Sequence, residues 1–373
     1  MTFISIVYFR IKQMATWSPP PLSSNETSSP SNSTLCPDLK EWWDVVYQVM
    51  PTYINIVCII GTLGNIFVFS VFLLYKGRLN VAEIYFVNLA AADLIFLACF
   101  PFWAENIRNE YNWPFTNFLC RITNASIKLN MYTSIYLLVA ISVDRYLAFA
   151  HTLTSRGKRS NAQAKVMCLL IWGFGIVMSI PTFMFRSVKH VQNLNISACI
   201  LAFPSESWET ADRLTLNALG FVIPSIAIIV FNCQIVRSLR ENKRSQAKLK
   251  TKISKDHTNT KATMLIFTVV LTFLLCWAPC HFFLFLDFLF RMKAVKGCFW
   301  EELINFGSQF TSYLAFTNSC LNPVIYVFFG KYFREKTFKV YTQFFPSGYP
   351  LQCMAPRERS SYFTSGLKQV ILT

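Results

Sequence analysis

Two polar side chains stand one helical turn apart in an otherwise apolar stretch of the chain. Asn124 and Lys128 are four residues apart, so in a helix they project from the same face. A lysine in such a stretch extends to the surface, pairs with an acid or binds an anion, and we find no acid at the expected depth of Lys128. The pair therefore predicts a binding site for an anionic group of a ligand, which an ammonium binds as a compact charge.

Acidic residues lie at the outer ends of two later apolar stretches. Asp287 closes one stretch, and Glu301 and Glu302 open the next. An ordinary solvated rim is the alternative interpretation, and for Glu302 alone it is the preferred one. An acidic rim above the anion-binding Lys128 also suits a ligand whose basic end points outward and whose carboxylate end points inward. A short peptide inserted with its C-terminus first has that form.

A second polar set lies in the middle of the apolar stretches and surrounds one carboxylate. Its members are Asp93, Asn65, Asn130, Ser134, Asn318 and Asn322. A carboxylate among neutral oxygens is what a small hard cation such as sodium requires. A hydrated network between helices is the alternative and is compatible with the first. We therefore expect a switch element with an optional sodium ion, and no other cofactor.

Three motifs combine charge or proline with large aromatic side chains. They are Asp144-Arg145-Tyr146, Phe273-x-x-Cys276-Trp277-x-Pro279 and Asn322-Pro323-x-x-Tyr326. The first predicts an ion pair at an inner helix end. Proline removes one backbone hydrogen bond and kinks a helix, so the other two predict pivots. Together the motifs predict a conformational switch.

The sequence gives no support for catalysis or nucleic-acid binding. We find no nucleophile–base set and no metal-spaced cluster of His or Cys, and the 4 His are scattered, so we expect no enzyme. The formal net charge of +16 lies in segments that flank the apolar stretches. Such charge indicates membrane topology and attraction to anionic membrane lipid rather than to nucleic acid.

Seven apolar stretches position these residues. They run Tyr53–Tyr75, Ile84–Trp103, Ala125–Phe149, Val166–Phe185, Leu214–Val236, Ala262–Phe290 and Leu303–Phe329. Each is long enough to cross a bilayer as a helix, which takes roughly 20 residues. Only 14% of all residues are charged, against about a quarter in soluble domains. We therefore predict an all-α integral membrane protein, a seven-transmembrane helix bundle with a short amphipathic eighth helix at Lys331–Phe345.

The distribution of charge and sequons orients this bundle. Lys and Arg concentrate on one side, which is then the inner side. The sequons at Asn25, Asn32 and Asn195 fall on the other side and are expected to be glycosylated. We predict a multi-pass plasma-membrane protein with an extracellular N-terminal segment at 1–50, a seven-helix domain at 51–329, and an amphipathic helix and cytoplasmic tail at 330–373.

Four of the 12 Cys fall on the outer side, where disulfides form. Cys36, Cys120, Cys199 and Cys298 allow three connectivities by spacing alone. Cys120–Cys199 would hold the second outer loop over the bundle, and Cys36–Cys298 would join the N-terminal segment to the third outer loop. Cys353, after the amphipathic segment, is a candidate for palmitoylation.

These motifs, in this order on the third, sixth and seventh spans, resemble those of the rhodopsin-like G-protein-coupled receptors. Gly64-Asn65, Leu89-Ala-Ala-Ala-Asp93, Trp172 and Pro224 also match markers of that family. The resemblance implies a heterotrimeric G protein as partner, with Ile135, Pro224 and Phe273 as a packing switch below Trp277. Two departures are Asn232, where the family usually has Tyr, and Asn259, where Arg145 would find an acid.

A closer resemblance concerns the ligand. Leu79–Tyr85, Pro101–Asn106, Trp113–Phe115 and Cys298–Glu301 are similar to the bradykinin receptors. The pairing of Asn124 with Lys128 is similar to the type 1 subtype, which prefers kinins that lack the C-terminal Arg. It implies that Lys128 and Asn124 bind the terminal carboxylate and that Asp287 and Glu301 bind the basic end. Trp103 and Gln309 would line the cavity, and signalling would use a phospholipase C/calcium-linked G protein.

Two alternatives remain open at this point. A receptor for another small peptide, of angiotensin or chemokine type, shares the lysine of the third span. A scavenger would bind peptide without signalling, although its expected mark, an altered Asp144-Arg145-Tyr146, is not seen.

Overall fold

The computed structural model describes residues 40–150, 160–192, 195–249 and 256–344. Seven spans, numbered in chain order, form the bundle. They comprise Lys40–Leu74, Val81–Arg108, Asn117–Ala150, Asn161–Phe185, Glu206–Leu249 (in three pieces), Asp256–Arg291 and Cys298–Phe329. A shorter inner helix, Lys331–Phe344, follows the seventh span. The prediction of seven spanning helices and an eighth amphipathic helix is confirmed.

Six of these spans are long and apolar enough to cross a membrane by length and composition. The seventh span has 32 residues but a strongly polar buried face, which includes Asn305, Ser308, Gln309, Ser312, Asn318, Ser319 and Asn322. Large exposed side chains on the other spans are mostly Ile, Leu, Val and Phe. The bundle therefore presents an apolar exterior to lipid and turns its polar groups inward.

Local sequence signals set several helix starts. Asn80 caps the second span by accepting a hydrogen bond from Glu83 N, and the Glu83 carboxylate in turn accepts one from Asn80 N. Ser160 and Gln163 form the same reciprocal capping box at the fourth span. Each box satisfies backbone N–H groups that have no partner within the helix.

The fifth span is longer and less regular than its apolar stretch predicts. It consists of an outer helix Glu206–Asn217, a π-helical turn Ala218–Val222 and an inner helix Ile223–Leu249. Pro224 has no N–H to donate, and a π turn directly before it changes the register of the helical hydrogen bonds. The outer helix begins at Glu206, about two turns before the predicted start at Leu214.

The third span is the centre of the bundle and packs against the second, fourth and fifth spans. Ile135, Leu137, Leu138 and Ile141 on its inner half are almost completely buried in the main apolar core. The first span packs against the second and seventh, and the sixth packs against the seventh. The polar side chains of Asn124 and Asp144, toward the two ends of the third span, are buried in the interior.

Candidate functional site

A β-hairpin covers the outer end of the bundle. Strands β1 (Arg186–Val191) and β2 (Ile196–Leu201) pair antiparallel, with Val188 opposite Cys199. Cys199 forms a disulfide with Cys120 at the outer end of the third span, as predicted. Sequence reasoning placed a tethered loop here but missed the strands.

Two backbone contacts add to this attachment. Trp113 N donates to Ser197 O at 2.7 Å, and Val188 N donates to Asn117 Oδ1 at 3.0 Å. Besides the disulfide, the hairpin is thus fixed to the loop before the third span, through Trp113, and to the first residue of that span, Asn117.

Lys128 faces the bundle interior and is paired with an acid. Its Nζ lies 2.5 Å from Asp212 Oδ1, and the two side chains are only 5% and 10% exposed. The expectation that no acid lies at the depth of Lys128 is therefore wrong. Asp212 belongs to the outer helix Glu206–Asn217, and it lies in the part of that helix that precedes the predicted start of the span at Leu214.

A second buried cation lies near this pair. Arg186, the first residue of β1, donates from Nη1 to Cys199 O at 2.9 Å. Burial lowers the pKa of the Arg186 guanidinium to about 9, and the charge of Asp212 opposes that shift. Arg186 therefore stays cationic at neutral pH and interacts electrostatically with Asp212.

Asn124 is buried one turn above Lys128, next to the disulfide. Its Nδ2 donates to Cys120 O at 2.7 Å and contacts Cys199 Sγ at 3.4 Å. The amide therefore orients the attachment of the hairpin, and it lies on the face of the third span that carries Lys128.

Asp287 is not a solvated rim acid. Its carboxylate is buried and forms an ion pair with Arg213 of the fifth span, and Arg291 Nε lies 3.4 Å away. Arg213 also binds Glu209 at 2.8 Å. The prediction of an acidic rim therefore needs correction, because Arg213 neutralises part of it. Glu301 lies half-buried in the first turn of the seventh span, and Glu302 is buried.

Trp103 and Gln309 are both almost fully buried between the second and seventh spans. Trp103 makes an edge contact with Trp113, with ring centroids 6.0 Å apart. Gln309 Nε2 donates to the hydroxyl of Tyr313. Each side chain is therefore held firmly in the packed outer half of the bundle.

An aromatic layer lies deeper in the sixth span. Phe273 and Trp277 stack with centroids 5.8 Å apart, and His281 stacks on Phe221 at 4.5 Å. Sequence reasoning missed His281, which stands one turn from Trp277 and would have been found from that spacing. The π turn presents Phe221 to His281 and links the fifth span to this layer.

Asp93 lies in a polar network that matches the predicted set only in part, since Asn65 donates to Ser319 O at 2.8 Å rather than to the carboxylate. It accepts hydrogen bonds from Asn130 Nδ2 at 2.9 Å, Asn322 Nδ2 at 3.0 Å and Ser319 Oγ at 2.7 Å. Ser319, not Asn318, therefore contacts the carboxylate. Among the described residues, Ser134 Oγ has no hydrogen-bond partner in its buried position.

The switch motifs occupy the inner half of the bundle. Arg145 Nε lies 3.7 Å from Asp144 Oδ2, and Tyr146 contacts Phe231. Tyr326 packs on Phe86 with centroids 4.8 Å apart.

Other switch residues are buried nearby, including Ile135, Phe273 and Pro224. Pro279 and Pro323 lie inside the sixth and seventh spans, as predicted. Asn232 donates to Ser142 Oγ at 3.1 Å, so this departure from the family pattern joins the fifth span to the third.

Several predicted sites lie outside the described residues, namely Asn25, Asn32, Cys36 and Cys353. Cys298 is disulfide-bonded. The side chain of Asn259 also lies outside the described part. Asn195 is exposed at the turn of the hairpin, with φ 48°.

The bundle, its outer disulfide and its inner motifs define a class of membrane receptor. The sequence profile of the family described as "7 transmembrane receptor (rhodopsin family)" matches residues 64–326. The chain belongs to the rhodopsin family of seven-transmembrane receptors. It is therefore a multi-pass membrane receptor rather than an enzyme.

Within that family the chain is similar to B1 bradykinin receptors. It is 51% identical over 335 residues to that of Macaca mulatta, covering 89% of this chain and 94% of the relative. It is 50% identical to that of Homo sapiens, with the same coverage. Identity to that of Canis lupus familiaris is 45%, over 91% of this chain and 95% of the relative. The predicted resemblance to type 1 bradykinin receptors is confirmed.

Proposed function

We propose that this chain is a G-protein-coupled receptor for short kinin peptides that lack the C-terminal Arg. The relatives named above are B1 bradykinin receptors and are matched over almost their full length. The observation that carries the proposal is a buried ammonium, Lys128, on the interior face of the third span. A buried ammonium of this kind suits the terminal carboxylate of a peptide.

In this proposal the peptide enters with its C-terminus first, under the hairpin. Lys128 and Asn124 bind the terminal carboxylate. Asp287 and Glu301 bind the basic N-terminal end, which then shares Asp287 with Arg213. Trp103 and Gln309 supply packed walls between the second and seventh spans.

The inner half of the bundle would carry the signal to a heterotrimeric G protein linked to phospholipase C and calcium. Arg145 and Tyr326 line one inner cavity together with Phe333 of the inner helix. We propose that the two proline-kinked helices and their neighbours rearrange during signalling. The residues concerned are Asp144, Arg145, Tyr146, Ile135, Pro224, Phe273, Trp277, Pro279, Asn322, Pro323 and Tyr326.

A sodium ion beside Asp93 fits the residues present. The carboxylate lies among side chains of three spans, and Ser134 Oγ and Asn322 Oδ1 are buried without partners among the described residues. These oxygens are of the type that sodium prefers. Asp93, Asn130, Ser134 and the seventh-span residues Asn318 and Ser319 are the proposed surroundings.

Location and processing are proposed as well. The N-terminus is extracellular in the plasma membrane, Asn25, Asn32 and Asn195 carry glycans, and Cys36 pairs with Cys298. Cys353 carries palmitate. The exposed turn at Asn195 supports glycosylation at that site.

Competition binding on cell membranes tests the proposed ligand. A kinin with its C-terminal Arg and the same peptide without it compete for labelled ligand on the wild type, Lys128→Ala and Lys189→Ala. Lys189 is exposed on β1 and serves as a control for loss of a cation on the same side. We expect the shortened peptide to bind at least about tenfold better, which corresponds to about 1.4 kcal/mol.

Lys128→Ala should remove that advantage and Lys189→Ala should keep it. A preference for the full-length peptide, or an advantage unaffected by Lys128→Ala, would contradict the assigned ligand. Binding without calcium release in the same cells would contradict the phospholipase-linked coupling, and binding without activation of any G protein would indicate a scavenger instead of a signalling receptor. Binding of an angiotensin or chemokine-like peptide in place of both kinins would redirect the assignment within the family.

A further inference from the structure

The residue paired with Lys128, Asp212, carries the same chemical group as the proposed C-terminal end of the ligand, a carboxylate. Asp212 Oδ1 lies 2.5 Å from Lys128 Nζ, and the pair joins the third span to the outer helix of the fifth. A peptide carboxylate bound to Lys128 would thus meet a carboxylate that is already there. Two carboxylates close together repel each other, so both cannot share one ammonium without cost.

The surroundings of Asp212 offer a second place for its charge. Asp212 Oδ2 is buried and has no hydrogen-bond partner among the described residues. Arg186 is fully buried, interacts electrostatically with Asp212, and its Nε is likewise without a partner in the described part of the chain. In this cluster two basic side chains, Lys128 and Arg186, share the single carboxylate of Asp212. The cluster can therefore accept one more anion if Asp212 moves toward Arg186.

We infer that Asp212 competes with the C-terminal carboxylate of the peptide for Lys128. Asp212 would thereby determine ligand specificity in one respect, namely how strongly the receptor prefers a free C-terminal carboxylate over an amide. This inference rests on the proposed function. In the free receptor Asp212 neutralises Lys128 and keeps the buried cation paired. When the peptide binds, its carboxylate replaces Asp212 on Lys128 and Asp212 pairs with Arg186.

The competition has a consequence for affinity. When the peptide carboxylate replaces Asp212 on Lys128, the binding free energy is less favourable than for binding to an unpaired ammonium, because the existing ion pair must first be broken. Asp212 thus lowers the benefit that a peptide derives from a free C-terminal carboxylate. Without the charge of Asp212, that benefit should increase.

The test compares the shortened kinin as free acid with the same peptide as C-terminal amide. The ratio of their affinities is measured by competition on membranes carrying the wild type, Asp212→Asn, Lys128→Ala and the double variant. Glu206→Gln is the matched control, since Glu206 is an exposed acid of the same outer helix. Asp212→Ser replaces Asp212→Asn if the latter does not reach the cell surface.

We expect Asp212→Asn to raise the acid-to-amide ratio about tenfold over the wild type, the equivalent of about 1.4 kcal/mol. Lys128→Ala and the double variant should bring the ratio to about one, and Glu206→Gln should leave it unchanged. An unchanged or lower ratio in Asp212→Asn, with normal wild-type binding, overturns the competition alone. Wild-type receptor that binds neither peptide overturns the proposed function, and the competition with it.

Discussion

The outer and inner halves of this bundle hold their helices together in different ways. In the outer half, charged side chains join separate spans: Lys128 pairs with Asp212, and Arg213 pairs with Asp287. In the inner half, aromatic rings and neutral amides predominate, as in the contact between Tyr326 and Phe86. Two contacts of the described inner half are exceptions: Lys336 bridges the inner helix to Glu83 at 2.7 Å, and Arg145 Nε lies 3.7 Å from Asp144 Oδ2 within the third span.

The two halves can therefore respond to different events, the outer half to ligand binding and the inner half to movement of the helices. A charged ligand can take the place of one member of an outer ion pair, so these contacts can be exchanged by binding. Aromatic and amide contacts carry no net charge and can rearrange when helices shift, without exposing a buried ion. Substitutions in the two halves should therefore differ in their effects on binding and stability.

The largest effect should come from loss of the disulfide that fixes the hairpin over the outer half. Cys199→Ser opens a link between residues 79 apart in sequence, and we expect a loss of about 2–5 kcal/mol in stability with a large loss of ligand affinity. Thermal unfolding and ligand binding measure both. Cys233→Ser, which alters a free and exposed cysteine, should match the wild type. Normal binding by Cys199→Ser would show that the outer half does not need its tether.

A smaller loss of stability should result from removal of a buried outer ion pair, and a still smaller one from removal of an exposed ion pair. Arg213 is 9% exposed and Arg291 is 35% exposed, and both face Asp287. Arg213→Ala should cost about 1.5–3 kcal/mol, because it removes charged hydrogen bonds from a buried carboxylate. Arg291→Ala should cost at most about 1 kcal/mol, as exposed ion pairs do. Equal shifts in thermal unfolding for the two variants would argue against the special role of buried charge.

The smallest effect should come from a hydroxyl in the inner half. Tyr326 Oη is buried without a hydrogen-bond partner among the described residues, so Tyr326→Phe should keep or slightly raise the stability of the free receptor. Tyr136 is the matched control, because its hydroxyl donates to Leu219 O at 3.0 Å. Tyr136→Phe should cost about 1 kcal/mol. A clear loss in Tyr326→Phe would reveal a polar contact that the inner half depends on.

Much of the fold could be predicted because long apolar runs leave few alternatives in a membrane. All seven spans, the inner helix and the Cys120–Cys199 disulfide followed from the sequence. The ends of the spans did not, because hydropathy detects only the part of a helix that lies in hydrocarbon. Helix-start signals were present at Ser205, with Glu206 and Glu209 in the first turn.

The misplaced start of the fifth span explains why the acid beside Lys128 was not predicted. Asp212 and Arg213 stand just before the predicted fifth span, so the interior partners of Lys128 and Asp287 were treated as loop residues. The exchange of Asn318 for Ser319 beside Asp93 has a different cause. Adjacent residues in a helix point about 100° apart, and hydropathy cannot fix the rotation of a span whose buried face is polar along its length.

A structure of the receptor bound to the shortened kinin would show which carboxylate occupies Lys128. We expect the terminal carboxylate of the peptide to lie about 3 Å from Lys128 Nζ, with Asp212 turned toward Arg186. A peptide whose basic end reaches Lys128, or one that binds while the Lys128–Asp212 pair stays intact, would overturn the proposed exchange.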